Sequence, residues 1–169
     1  VGMTTPIAVQ NISLAAVEGI SLIGGVYLLG IRRKRIGWKA LGLRETSLKW
    51  FIGSIGVLFV AIPLSGLITL AIMVILGMPL ENPQLEFLLP ERMSPVEMGG
   101  MLLFAGVFAP LGEEFLFRGI IYPIVRNKWG VFPGILLSSL IFGIVHLNIL
   151  IGLNAFILGL LLAILFEYS

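Results

Sequence analysis

The chain has 169 residues, no cysteine, nine acidic groups that are all glutamate, one histidine and a net charge of +2. Apolar residues make up 58% and charged residues 12%, against roughly 45–50% and 25% in soluble domains, and the mean hydropathy is +1.08. A soluble fold this small cannot hide that much apolar surface, so the excess faces lipid; disorder, disulfides, zinc–thiolate and iron–sulfur sites are excluded, and basic residues gathered in one loop do not make the folded basic face that a nucleic acid needs.

The first apolar run, Asn11 to Ile31, is long enough for one span. It is not a signal peptide, because no basic region precedes it and Arg32-Arg33-Lys34-Arg35 follow it. The second run, Trp50 to Met78, is interrupted by Pro63. The third opens on Ser94-Pro95-Val96-Glu97, a capping box with proline at the first helical position, and continues to about Arg126. At ~1.5 Å per residue it is near 45 Å long, more than the ~30 Å hydrocarbon core. Pro110 and Pro123 are expected to bend or break it. A turn at Asn127–Gly130 leads to a fourth run, Val131 to Leu147, and a fifth covers about Ile151 to Phe166. The chain therefore reads as all-α, a polytopic membrane helical bundle of about five transmembrane helices. Lipid tolerates only helices or closed barrels, and these runs are too long for barrel strands. By content it divides into N-terminal helices, 1–94, and a polar-motif core, 95–169.

Charge orients the spans. Residues 32–49 hold seven of the eleven basic groups, Arg32, Arg33, Lys34, Arg35, Lys39, Arg44 and Lys49, against Glu45 alone. Short basic loops stay in the cytoplasm. The segment 79–96 carries Glu81, Glu86 and Glu91 against Arg92 and reads as external. Arg126 and Lys128 mark another cytoplasmic turn. The N-terminus is thus expected outside and the C-terminus inside.

Glu18, Glu113, Glu114, Arg118 and His146 lie within apolar runs. Each costs roughly 2.5–3.5 kcal/mol at a helix centre on insertion scales, so each needs a partner or a water-filled cavity. Glu18 is alone in its helix and reads as a residue near the span end, outside the site. Glu114 and Arg118 form an i,i+4 pair in the favourable order. Glu113 is turned about 100° away on the helix and cannot share Arg118 equally. Two neighbouring carboxyls in different surroundings are how a site separates a base from a structural anion. His146 follows Phe142 at i+4, so both are expected on one helix face. Folding the third and fourth helices antiparallel about residue 128 or 129 puts His146 within about one turn of the glutamate pair.

These residues resemble the CPBP family of intramembrane endopeptidases, the CAAX prenyl proteases and bacteriocin-processing proteins also called Abi. The family's Glu-Glu-x-x-x-Arg motif matches Glu113, Glu114 and Arg118. Its Phe-x-x-x-His motif matches Phe142 and His146. The resemblance is best from about residue 97 to the C-terminus. It implies that Glu113 activates water, that Glu114 with Arg118 supports it, and that His146 helps hold the water, a metal or the oxyanion. The family's third motif, His-x-x-x-Asn or Asp, has no counterpart here, and Asn148 and Asn154 do not replace it. The expectation is a fragment of a larger bundle, incomplete and inactive by itself.

The implied activity is hydrolysis of a peptide bond in a peptide or protein substrate, possible lipidation included, at a cytoplasm-facing site in a bacterial plasma membrane. The implied partners are that substrate and membrane lipid, with no nucleic acid. The cofactor reading is either none or a divalent metal such as Zn²⁺ on Glu113 and His146. Catalytic zinc usually has three protein ligands, and Arg118 is poorly placed beside a cation, so the metal-free route is preferred. Intramembrane Glu and His also build proton relays. A non-catalytic immunity or scaffold protein, or a proton-coupled transporter, is therefore the second reading, although the internal repeats of a transporter are not visible.

Overall fold

The computed structural model describes residues 6–43, 45–78 and 83–168. Arg44 and Glu81 lie outside the described residues. Among these residues there is no strand. The helices are α1 (Pro6–Gly25), prolonged by a π-helical stretch at Val26–Arg33; α2 (Leu48–Ile75); the short α3 (Pro83–Leu88); α4 (Pro95–Trp129); α5 (Val131–Ile144); and α6 (Ile149–Tyr168). A 3-10 turn covers Trp38–Leu41.

Among the described residues, four helices are long and apolar enough to cross a membrane: Ile7–Arg33, Leu48–Ile75, Pro95–Trp129 and Ile149–Tyr168. The fourth predicted run gives only a 14-residue helix, α5, short of the ~20 residues a span needs. The chain enters it through Gly130 at φ 93° and leaves it through Leu147 at φ 53°. Asn148 then starts α6, its side-chain oxygen accepting from the Leu150 and Ile151 N–H groups at 3.0 and 3.1 Å. That cap moves the start of α6 ahead of the predicted Ile151. Pro63 does not interrupt its helix, since α2 continues through it. The capping box at Ser94 forms as predicted: its hydroxyl accepts from Glu97 N–H, and the Glu97 carboxylate accepts from Ser94 N–H at 2.7 Å.

The chain forms two compact units, residues 1–41 with 82–119 and residues 42–81 with 120–169. In the first, α1 and the N-terminal part of α4 run parallel, Gly100 against Ile12, Gly19 against Phe108–Ala109 and Gly112 against Leu22. A Cβ on Gly19 would lie 2.8 Å from the Phe108 backbone, and one on Gly112 would lie 2.8 Å from Leu22 Cβ. Lipid tails are as apolar as leucine, so close backbone approach replaces hydrophobic drive between membrane helices. Asn11 adds a hydrogen bond from Nδ2 to the Phe87 carbonyl at 2.8 Å.

The second unit follows the same logic. Here α5 and α6 run antiparallel, with Gly143 against Gly152 and Ser139 against Gly159. The end of α4 is tied to the end of α6 by polar contacts. Glu167 accepts from the Tyr122 hydroxyl at 2.7 Å and from Arg126 Nε and Nη2 at 3.0 and 2.7 Å. A bidentate guanidinium–carboxylate pair fixes direction as well as distance.

Backbone contact at Gly143 makes a specific demand. A Cβ there would sit 2.6 Å from the Gly152 carbonyl oxygen. Gly143→Ala is expected to lower the thermal midpoint in detergent, at a cost of about 1–3 kcal/mol from overpacking. Gly53→Ala is the control, because a Cβ at Gly53 meets open space. It should be neutral or stabilising by up to ~1 kcal/mol through helix propensity.

Candidate active site

The Glu-Glu-x-x-x-Arg residues sit on α4 between two widened turns. Phe104–Phe108 and Phe117–Ile121 are π-helical, and each lies just before or beside a proline, Pro110 and Pro123. A helical proline removes an N–H and pushes on the carbonyl four residues back, which is Gly106 for Pro110 and Gly119 for Pro123. Each of those glycines lies in a π turn, where the widened ring accommodates the proline. Of the expected bend or break, the break does not occur: two local expansions take its place, and the helix runs on from Pro95 to Trp129.

Among the described residues Arg118 is the most deeply buried charged side chain, at 1% exposure. Its Nε lies 3.4 Å from Glu114 Oε2, and Glu114 is 33% exposed. This is an ion pair longer than a tight charge-assisted hydrogen bond. The next residue is glycine for a reason visible in the packing. A Cβ on Gly119 would lie 2.6 Å from Leu41 Cδ2 and 3.1 Å from Leu41 Cα. Leu41, itself 3% exposed, therefore reaches the α4 backbone directly beside Arg118.

Glu113 is half-buried and within electrostatic reach of Glu18, Glu114 and Arg118. Glu18 is the residue that sequence reasoning set aside. Its helix starts at Pro6 rather than Asn11, so Glu18 falls well inside the Ile7–Arg33 span and not near its end. Its signal was already in the sequence, a lone carboxylate inside an apolar run.

The other motif belongs to the second unit. His146 is not on a helix: α5 ends at Ile144 and His146 lies in the following turn. The pairing with Phe142 survives, because Nδ1 is 2.7 Å from the Phe142 carbonyl oxygen and the two rings meet edge to face at 5.0 Å. A carbonyl only accepts, so Nδ1 carries the proton, and Nε2 is the nitrogen oriented for other work. Beside this turn lies an apolar cavity of about 410 Å³, lined by Leu140, Ile144, Leu147, Asn148 and Phe156 among others. Asn148 is the α6 cap described above. Asn154 Oδ1 is buried on α6 without a hydrogen-bond partner among the described residues.

Glu113 and His146, the residues named above for a divalent metal, belong to different units. Among the described residues no group of three or more His, Cys, Asp or Glu side chains is placed to hold one.

The ion pair yields a direct expectation. Glu114→Ala leaves Arg118 charged at 1% exposure. Losing one partner of a buried pair costs about 3–5 kcal/mol, and the partial exposure of Glu114 reduces this to the order of 3 kcal/mol. Membrane yield and thermal midpoint should both fall, and Glu114→Gln should fall less. Unchanged values for Glu114→Ala would mean that the pair is structurally idle.

Residues 95–169 match the family model of the type II CAAX prenyl endopeptidase Rce1-like proteins. The chain is also 31% identical over 127 residues to an uncharacterized 24.3 kDa protein of Escherichia coli, an alignment covering 72% of this chain and 54% of that protein. The chain thus spans about half the length of the curated relative it matches. No solved structure matches. Residues 95–169, which hold Glu113, Glu114, Arg118, Phe142 and His146, are thus similar to the CPBP family on its Rce1-like side.

Proposed function

We propose that the protein is an intramembrane endopeptidase that hydrolyses a peptide bond with water activated by Glu113. The observation that carries this reading is the Glu114–Arg118 ion pair. In this reading Glu114 is the structural anion, and Glu113, one residue away and about 100° around the helix, is the base. The family resemblance gives His146 the task of helping to hold the water or the oxyanion, and the Phe142 carbonyl fixes its Nδ1. The Glu113 carboxylate takes a proton from water, and the hydroxide oxygen bonds to the carbonyl carbon. As the C–N bond breaks, Glu113 returns the proton to the leaving amine. No step is routed through a metal.

The substrate in this reading is a protein or peptide with an apolar, prenylated C-terminus. The apolar cavity beside His146 and the family's description support that class. The test is cleavage of an internally quenched, prenylated CAAX peptide by the protein in lipid nanodiscs. Glu113→Gln should lower kcat by about 10²–10⁴-fold with folding intact, and His146→Ala should lower it by at least about 10²-fold. Cleavage by Glu113→Gln at the wild-type rate would remove Glu113 as the base.

The site faces the cytoplasm of a bacterial plasma membrane in this reading. The charge asymmetry supports it, as does the parallel packing of α1 and α4 in the first unit, which starts both helices on one side. The chain has no native cysteine, so single cysteines report cleanly. Ile36→Cys should be labelled only from the cytoplasmic side and Leu85→Cys only from outside. The reverse pattern would invert the site.

A further inference from the structure

The end of α1 carries a feature that peptide hydrolysis does not use. Arg32, Arg33, Lys34 and Arg35 are all exposed, as is Lys39. No acidic residue occurs anywhere between Glu18 and Glu45. These cations are not on a loose tail. Ile36 N–H donates back to the Gly30 carbonyl at 3.1 Å, and Arg35 turns the chain at φ 55°. Leu41 anchors the return against Gly119. Five cations within eight residues are thereby held as a crown at the end of an apolar helix, where lipid headgroups lie.

An apolar groove leads up to this crown. It has a volume of about 330 Å³ and is lined by Ile20, Ile23, Tyr27, Trp38, Phe108 and Phe115 among others. Trp38 and Tyr27 stand at its crown end, their ring centroids 6.5 Å apart and both rings about half exposed. That is the amphipathic pairing found at membrane interfaces. Along α1 and its π-helical extension the groove runs from Ile20 to Ile31, at most about 16 Å at the α-helical rise. One leaflet of a ~30 Å hydrocarbon core is the same depth.

We propose that this end of α1 binds an anionic phospholipid, with one acyl chain along the groove and the phosphate on the basic crown. Three elements carry the inference. The groove is one leaflet deep, the aromatic pair sits at its mouth, and the cations above it have no acidic neighbour in sequence. Guanidinium groups suit a phosphodiester, because their planar fork gives two parallel hydrogen bonds to its oxygens. This site is independent of the glutamate chemistry and stands or falls without it.

The test uses the full chain in nanodiscs of phosphatidylcholine, with and without phosphatidylglycerol, and native mass spectrometry of the lipids it retains. Phosphatidylglycerol should be retained over phosphatidylcholine by about fivefold or more, since each cation near the surface contributes a factor of that order. Two variants separate groove from crown. Gly24→Leu fills the groove without touching packed atoms, because a Cβ at Gly24 meets nothing within 4 Å. It should abolish selective retention at an unchanged thermal midpoint. Replacing Arg32, Arg33 and Arg35 together by lysine keeps the charge that sets topology but removes the forks, and should weaken retention several-fold. Equal retention of the two lipids would overturn the proposal, as would wild-type retention in both variants. Displacement by inorganic phosphate would point to an ion site, and displacement by the prenylated peptide to a substrate site; either would also overturn it.

Discussion

A guanidinium at 1% exposure in a helix that crosses a membrane is the constraint on which the rest of the motif depends. Arginine does not give up its proton in proteins, so the charge at Arg118 must be answered where it lies. Glu114 supplies the answer at 3.4 Å on the same helix. The local sequence then follows. Gly119 lets Leu41 close over the α4 backbone beside the pair, and the neighbouring Phe117 is buried at 4% exposure. The adjacent Glu113 lies within electrostatic reach of the same guanidinium and of Glu18.

The scaffold around this charge is made by small residues rather than large ones. In water, a core of leucine and phenylalanine would drive these helices together. In lipid that drive vanishes, and contact distance decides. The helices accordingly meet at Gly19 and Gly112 in one unit and at Gly143 and Gly152 in the other. The Gly143–Gly152 contact also sets the turn between α5 and α6 that carries His146. The Phe142 carbonyl then fixes the imidazole by its Nδ1. Polar orientation at this turn is therefore a product of apolar packing one turn away.

Much of this was legible in the residues. The all-α membrane architecture followed from hydropathy, because a polar backbone leaves lipid few choices. The Ser94 cap and the Glu114–Arg118 pair followed from spacing alone. Other features depended on distances that spacing does not carry. The prolines of α4 were expected to bend or break the helix; it is not broken, because Gly106 and Gly119 lie where the backbone can widen into π turns. The fourth run was apolar enough for a span, but the left-handed Leu147 and the Asn148 cap stop α5 early. Glu18 was placed near a span end because Pro6–Gln10 did not read as helix. Its electrostatic reach to Glu113 depends on the glycine contact between α1 and α4, which no local pattern announces.

The two functional proposals assign separate work to separate parts of the chain. Water and a peptide carbonyl meet at Glu113, while the basic crown deals with phosphate. Direct attack by water is the central claim, and its oxygen can be followed. A single turnover of the prenylated CAAX peptide in water enriched in ¹⁸O should place one ¹⁸O in the new carboxylate of the product during that first turnover. A first-turnover product carrying only ¹⁶O, with the heavy oxygen later found in a glutamate of the protein, would mean that a carboxylate itself attacks the carbonyl, and would contradict water activation by Glu113.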